Sequence, residues 1–119
     1  MKIAISTDQG NVSAHFGRCP EFTIVNIEDG IVQKKETILN TKHEPGFLPQ
    51  FLSEKKVECI IAGGMGHRAQ TLFDQHHIET VIGITGTVDS VIQEILGGTL
   101  AGGASLCERA QGKCEHHDN

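Results

Sequence analysis

In the segment Ser13-Ala14-His15-Phe16-Gly17-Arg18-Cys19-Pro20-Glu21-Phe22, an imidazole, a guanidinium and a thiol fall within residues 15–19. Imidazole and thiolate are side chains that suit iron, zinc and copper. A guanidinium at Arg18 offsets the charge of an anionic ligand. It is also expected to lower the pKa of Cys19. A plainer reading stands beside this one: a surface loop that Phe16 and Phe22 anchor to the core.

A second set is Gly64-Met65-Gly66-His67-Arg68-Ala69, after an expected strand and at the start of an expected helix. It fits G-x-G-x-x-G/A. Backbone N–H groups at such a helix N-terminus can hold an anion. The dinucleotide version of this motif belongs to the first strand of its fold and needs an acid near the end of the next strand. Here the motif follows the fourth expected strand, and the fifth runs out into Gly83. An anion-friendly turn remains, as does a tight strand-to-helix turn that needs small residues.

A third set is Cys107, Cys114, His116 and His117, spaced C-x6-C-x-H-H. It matches no standard zinc signature. Two readings stay open, a metal handle and a flexible polar end. Cys59 lies inside an expected buried strand and reads as a small hydrophobe. His76 and His77 close a helix, where an imidazolium suits the dipole. His43 carries no argument. Metal-dependent phosphodiester cleavage requires several carboxylates at one sheet edge. Asp8 is the only acid placed at such a strand end, which argues against a nuclease.

These groups must be positioned by the regular elements. Residues 2–7 read as a strand, followed by a break at residues 8–10. Residues 21–28 form a second strand rich in β-branched and aromatic side chains. Asp29-Gly30 is a strong hairpin signal. It leads into a strand over residues 31–39, whose Gln33, Lys34, Lys35 and Glu36 suit an edge. Helices are expected over residues 47–56 and 67–76, with Pro49 tolerated in the first turn. Buried strands are expected over residues 57–62 and 78–82. Thr87 caps a last helix, with Asp89 in its first turn. That helix should bury Val88, Val91, Ile92, Ile95 and Leu96. The order is that of one α/β domain over residues 1–100, with a mixed five-stranded sheet. Residues 101–119 read as a flexible Cys- and His-containing tail. Loops at residues 8–19, 63–67 and 83–87 then gather on one edge, where open α/β sheets bind ligands.

The chain has 119 residues, 38% of them hydrophobic and 21% charged, which suits one globular domain. A net charge of −5 and the absence of Trp and Tyr argue against a nucleic-acid binder. No apolar run approaches a membrane span, and residues 8–10 end any signal-peptide pattern. Four Cys without a CxxC pair point to a reduced, cytoplasmic protein. A domain this small with one open edge is read as a monomer.

The residues together resemble a family. Met1-Lys2-Ile3-Ala4-Ile5-Ser6-Thr7-Asp8, then His15-Phe16-Gly17-Arg18 with Pro20 and Phe22, then Glu28-Asp29-Gly30, resemble the dinitrogenase iron–molybdenum cofactor biosynthesis proteins, which are nitrogenase cofactor carriers. Cys59-Ile60-Ile61-Ala62-Gly63-Gly64-Met65-Gly66 is similar to the family's second glycine segment. Gly86-Thr87-Val88-Asp89 and Leu96-Gly97-Gly98-Thr99-Leu100 resemble its last helix and exit. The resemblance implies a ribonuclease H-like fold and a stand-alone, single-domain member. It implies a non-enzymatic role: holding an anionic, oxygen-sensitive iron–sulfur or iron–molybdenum–sulfur cluster, or its precursor, and passing it between donating and accepting assembly proteins. His15 is the position carried over as the cluster contact. Arg18 enters from charge alone, and the family does not require Cys19. The cofactor-binding candidates are His15, Phe16, Gly17, Arg18, Cys19, Gly64, Gly66 and His67. The metal candidates are His15, Cys107, Cys114, His116 and His117.

Overall fold

The strand Lys2–Asp8 (β1) is buried at Ile3, Ala4, Ile5, Ser6 and Thr7, so both of its faces are covered. A strand so placed belongs at the centre of its sheet. The computed structural model, which describes residues 1–40 and 47–98, shows it there. β1 pairs antiparallel with Glu21–Glu28 (β3) and parallel with Cys59–Ile61 (β5). Ile31–Leu39 (β4) pairs antiparallel with β3, and Glu79–Val81 (β6) pairs parallel with β5. The order across the sheet is β4-β3-β1-β5-β6.

The expected five strands are corrected to six. Asn11–Val12 (β2) turns back onto the end of β1, pairing Thr7 with Val12 and Asp8 with Asn11. Gln9 and Gly10 take φ of 53° and 83°, a two-residue reversal with both central residues left-handed. Gln-Gly is a weaker signal for such a turn than Asn-Gly or Asp-Gly, and two residues are too few to show a period. Asp29 and Gly30, at 55° and 75°, make the same reversal between β3 and β4, as expected.

Helices cover both faces. Phe47–Glu54 (α1) and His67–Gln75 (α2) lie on one face, where Leu48, Leu52 and Phe73 pack with Ala4, Phe22, Ile24 and Ile60. Val88–Gly97 (α3) lies on the other, packing Val88, Val91, Ile92 and Ile95 against Ile3, Ile5, Val25 and Ile61. The Thr87 hydroxyl accepts from the Ser90 N–H at 3.0 Å, and Gly98 ends α3 in the left-handed region at φ 77°. Both are end signals that the sequence carries.

The parallel strands are shorter than the apolar runs that suggested them. Val57, Ala62 and Ile78 flank β5 and β6 and are still buried. Ile82, expected inside a buried strand, is 44% exposed because β6 ends at Val81. β4 is an edge strand among the described residues, and Ile31 and Leu39 are exposed on it. No helix among the described residues is long and apolar enough to cross a membrane. The tail of residues 101–119, with Cys107, Cys114, His116 and His117, lies outside the described residues, as does His43.

Candidate functional site at the loop edge

Because β1, β5 and β6 are parallel, their C-terminal ends share one edge. The loops that leave them are joined by backbone hydrogen bonds. Val12 N–H donates to the Gly86 carbonyl and Val88 N–H to the Gly10 carbonyl, both at 2.9 Å. Gly63 N–H donates to the Ser13 carbonyl and Phe16 N–H to the Gly64 carbonyl, also at 2.9 Å. Gly83 N–H reaches the Gly63 carbonyl at 2.9 Å. The loops after β1, β5 and β6 therefore form one bonded unit, and the expected gathering of loops is observed.

Gly63 and Gly64 make that unit possible. A Cβ on Gly63 would stand 2.9 Å from both Ala14 Cα and the Ser13 carbonyl oxygen. One on Gly64 would stand 2.9 Å from the Ala14 carbonyl oxygen. Gly64 is thus kept small by the backbone of the His15 loop. A Cβ on Gly66 would meet nothing.

His15 sits at the crest of this unit. Its backbone is clamped by Ser13, whose hydroxyl accepts from the His15 N–H at 3.3 Å and lies 3.1 Å from the His15 carbonyl as donor. Its imidazole is exposed. A three-residue 3-10 turn, Phe16–Arg18, follows directly. Phe16 points inward, with its ring centroid 5.8 Å from that of Phe22 and 5.2 Å from that of Phe73. Gly17 and Arg18 are exposed on the outer side of the turn.

Cys19 does not behave as its neighbours in sequence suggest. The residue is fully buried, and its Sγ lies 3.1 Å from the Phe16 carbonyl as donor. Burial pushes the thiol up to about 11, and nearby hydrogen bonds offset this only in part. The expected lowering by Arg18 is therefore corrected: Arg18 is exposed while the sulfur is in the core. Phe16 and Cys19 anchor the loop from beneath. His15, Gly17 and Arg18 form its outer surface.

The second glycine segment supplies the neighbouring wall. Gly66 is the N-cap of α2 with no side-chain cap bond, and its carbonyl accepts from Gln70 N–H at 3.1 Å. His67 and Arg68 are exposed in the first turn. The first N–H groups of a helix have no partner within it, so this end presents donors and partial positive charge. Among the described residues no three His, Cys, Asp or Glu side chains converge as a metal cage. Sequence reasoning gave no role to Ser13 or Gly63. Ser-x-His in a loop is a local signal for a hydroxyl clamp, whereas Gly63's need for close approach shows only in three dimensions.

The family model for dinitrogenase iron–molybdenum cofactor matches residues 1–98. The chain belongs to this family. It is similar to the uncharacterised protein MJ0580 of Methanocaldococcus jannaschii, with 36% identity over 105 residues, 84% of this chain and 89% of that one. The crystal structure of PH0822 superposes with a TM-score of 0.79 at 35% identity, covering 84% of this chain and 94% of that one. The apo form of the orange protein from Desulfovibrio gigas shares the fold at 23% identity, with a TM-score of 0.70 over 85% of this chain and 93% of that one. The family match takes in the whole loop edge and ends at Gly98, the residue that caps α3. This family member thus carries a further 21 residues, 99–119, beyond the match.

Proposed function

We propose that the chain binds an anionic iron–sulfur or iron–molybdenum–sulfur cluster, or its precursor, as cargo and passes it on during metallocofactor assembly, with no catalysis of its own. The observation that carries this reading is the exposed His15 imidazole on a backbone clamped by Ser13 and bonded to the second glycine segment. A rigid backbone presents one borderline-soft ligand to cluster iron. Arg18, His67, Arg68 and the open N-terminus of α2 favour negative charge without adding further iron ligands. A carrier must release what it holds, and few protein ligands suit release better than a closed four-ligand cage. Proteins that donate and accept the cluster are the partners this role requires, in the cytoplasm. The sheet order, with an antiparallel flank and a parallel flank around β1, supports reading the fold as ribonuclease H-like.

Anaerobic reconstitution with iron and sulfide tests the reading by visible absorption and metal analysis. Three full-length chains are compared: wild type, His15→Ala, and one carrying Cys107→Ser, Cys114→Ser, His116→Ala and His117→Ala. Colour lost in His15→Ala and kept in the tail variant is expected. Colour lost only in the tail variant would move the metal site to the tail. No colour in wild type would favour a small-anion or nucleotide-binding module at Gly64 and Gly66.

A further inference from the structure

β4 is nine residues long and has no strand beyond it among the described residues. Such an edge presents a row of unpaired N–H and C=O groups. Ile31, in its first position, is 60% exposed. Lysines on an edge strand disfavour pairing with foreign strands, but an identical strand run in reverse supplies partners for these. Antiparallel pairing about Lys35 sets Lys34 opposite Glu36 of a second copy, and Glu36 opposite Lys34. Both residues lie on the face of α1 and α2, since they pair with Asn26 and Ile24 of β3.

The irregularity in β4 strengthens the match. Asn26 pairs with Lys34 but Ile27 pairs with Val32, so Gln33 is an extra residue. Beyond it the facing positions slip by one. Val32 then faces Thr37 of the second copy, and Ile31 faces Ile38. Each pair shares a face: Val32 and Thr37 sit beside Ile27 and Thr23, while Ile31 and Ile38 sit beside Glu28 and Phe22. Only Lys35 meets its own kind, at the axis. Its Nζ is held 2.7 Å from Asp89 Oδ1 on α3, which balances its charge.

We propose that this edge is an interface between two copies of the chain, joined antiparallel through β4 about Lys35. This departs from the monomer expected from size. The two-fold axis sends the two loop edges to opposite ends of the joined sheet, so both His15 sites remain open. One strand pair is smaller than the ~1,200 Å² of stable complexes, so the dimer forms with rising concentration.

Sedimentation equilibrium of the full chain under reducing conditions, from about 10 μM to about 1 mM, reads the association. The expected mass for wild type rises from 12.9 kDa toward twice that value. Lys34→Glu replaces two attractive pairs by two repulsive ones and should weaken association roughly tenfold or more. Lys34→Glu with Glu36→Lys restores both pairs and should restore association. Far-ultraviolet circular dichroism checks that each variant is folded. A wild type that stays at 12.9 kDa throughout, a Lys34→Glu chain that associates like wild type, or a double variant that is not rescued would each overturn the proposal.

Discussion

The backbone N–H of Phe16 donates to the carbonyl of Gly64 at 2.9 Å, joining the His15 loop to the glycine segment that opens α2. The two residues play opposite parts. Phe16 sends a ring into the core beside Phe22 and Phe73, while Gly64 leaves room for the Ala14 carbonyl above it. His15 is held in place because the residue after it is anchored below and bonded sideways. The exposed imidazole thus owes its position to groups beneath and beside it.

Gly64→Ala should cost more than Gly66→Ala, where only the weaker N-cap preference of Ala opposes the change. The new Cβ at residue 64 would stand 2.9 Å from the Ala14 backbone oxygen, so the loop must shift. Overpacking of this kind costs about 1–3 kcal/mol. At residue 66 the Cβ meets nothing, and the backbone there is extended at φ −64° and ψ 154°. Urea denaturation of both variants checks the contrast. Equal losses would mean that Gly64 is not small for the reason given.

Phe16→Ala should destabilise the chain by about 3–5 kcal/mol, the range for removing a buried aromatic ring. The ring lies between Phe22 and Phe73, with centroids 5.8 and 5.2 Å away. Denaturant midpoints measure the loss. In the same variant the His15 loop keeps its hydrogen bonds but loses its anchor. Faster amide exchange should therefore appear at residues 14–18 before it appears in β1.

Much of this arrangement is legible in the sequence. The β3–β4 hairpin follows from Asp29-Gly30, and the start of α3 follows from Thr87 with Asp89 behind it. The gathering of loops follows from the parallel order of β1, β5 and β6. The inward turn of Cys19 is not legible. A thiol beside an arginine reads as reactive, yet the 3-10 turn at Phe16–Arg18 puts the two side chains on opposite sides of the chain, one in the core and one in solvent. β2 is hidden for a different reason: two residues carry no period, and it takes its place from β1 and from the Val12–Gly86 and Gly10–Val88 bonds. Gly64 was legible as small, but phosphate contact and backbone contact leave the same mark in sequence.

Cys19 makes stability depend on pH at the alkaline end. In the folded chain its thiol ionises only near 11, against an ordinary value of 9.0. The folded state therefore keeps a proton that the unfolded state gives up between these values. Its contribution is whole below about pH 9 and is lost as pH rises toward 11. The melting temperature of wild type should fall across that window more steeply than that of Cys19→Ala. With Cys107 and Cys114 replaced by Ser, a thiol reagent at pH 8 should find Cys19 and Cys59 only after unfolding, since both are buried.

The ion pair between Lys35 and Asp89 ties the edge strand to the start of α3 at 2.7 Å. Its side chains are 45% and 80% exposed, so water screens it and its worth is at most about 1 kcal/mol. The two partners should not be equivalent. Lys35→Gln removes the pair and leaves Asp89 facing the positive end of the helix. Asp89→Asn removes the pair and that dipole interaction together, and the dipole contact adds about 0.3–1 kcal/mol. Asp89→Asn should thus be the more destabilising variant at low ionic strength. Near 1 M salt, where screening acts within about 3 Å, both should approach wild type. Thermal melts of the three chains at low and high salt measure this. A loss at Lys35→Gln that exceeds the loss at Asp89→Asn would show that Lys35 acts through something other than Asp89.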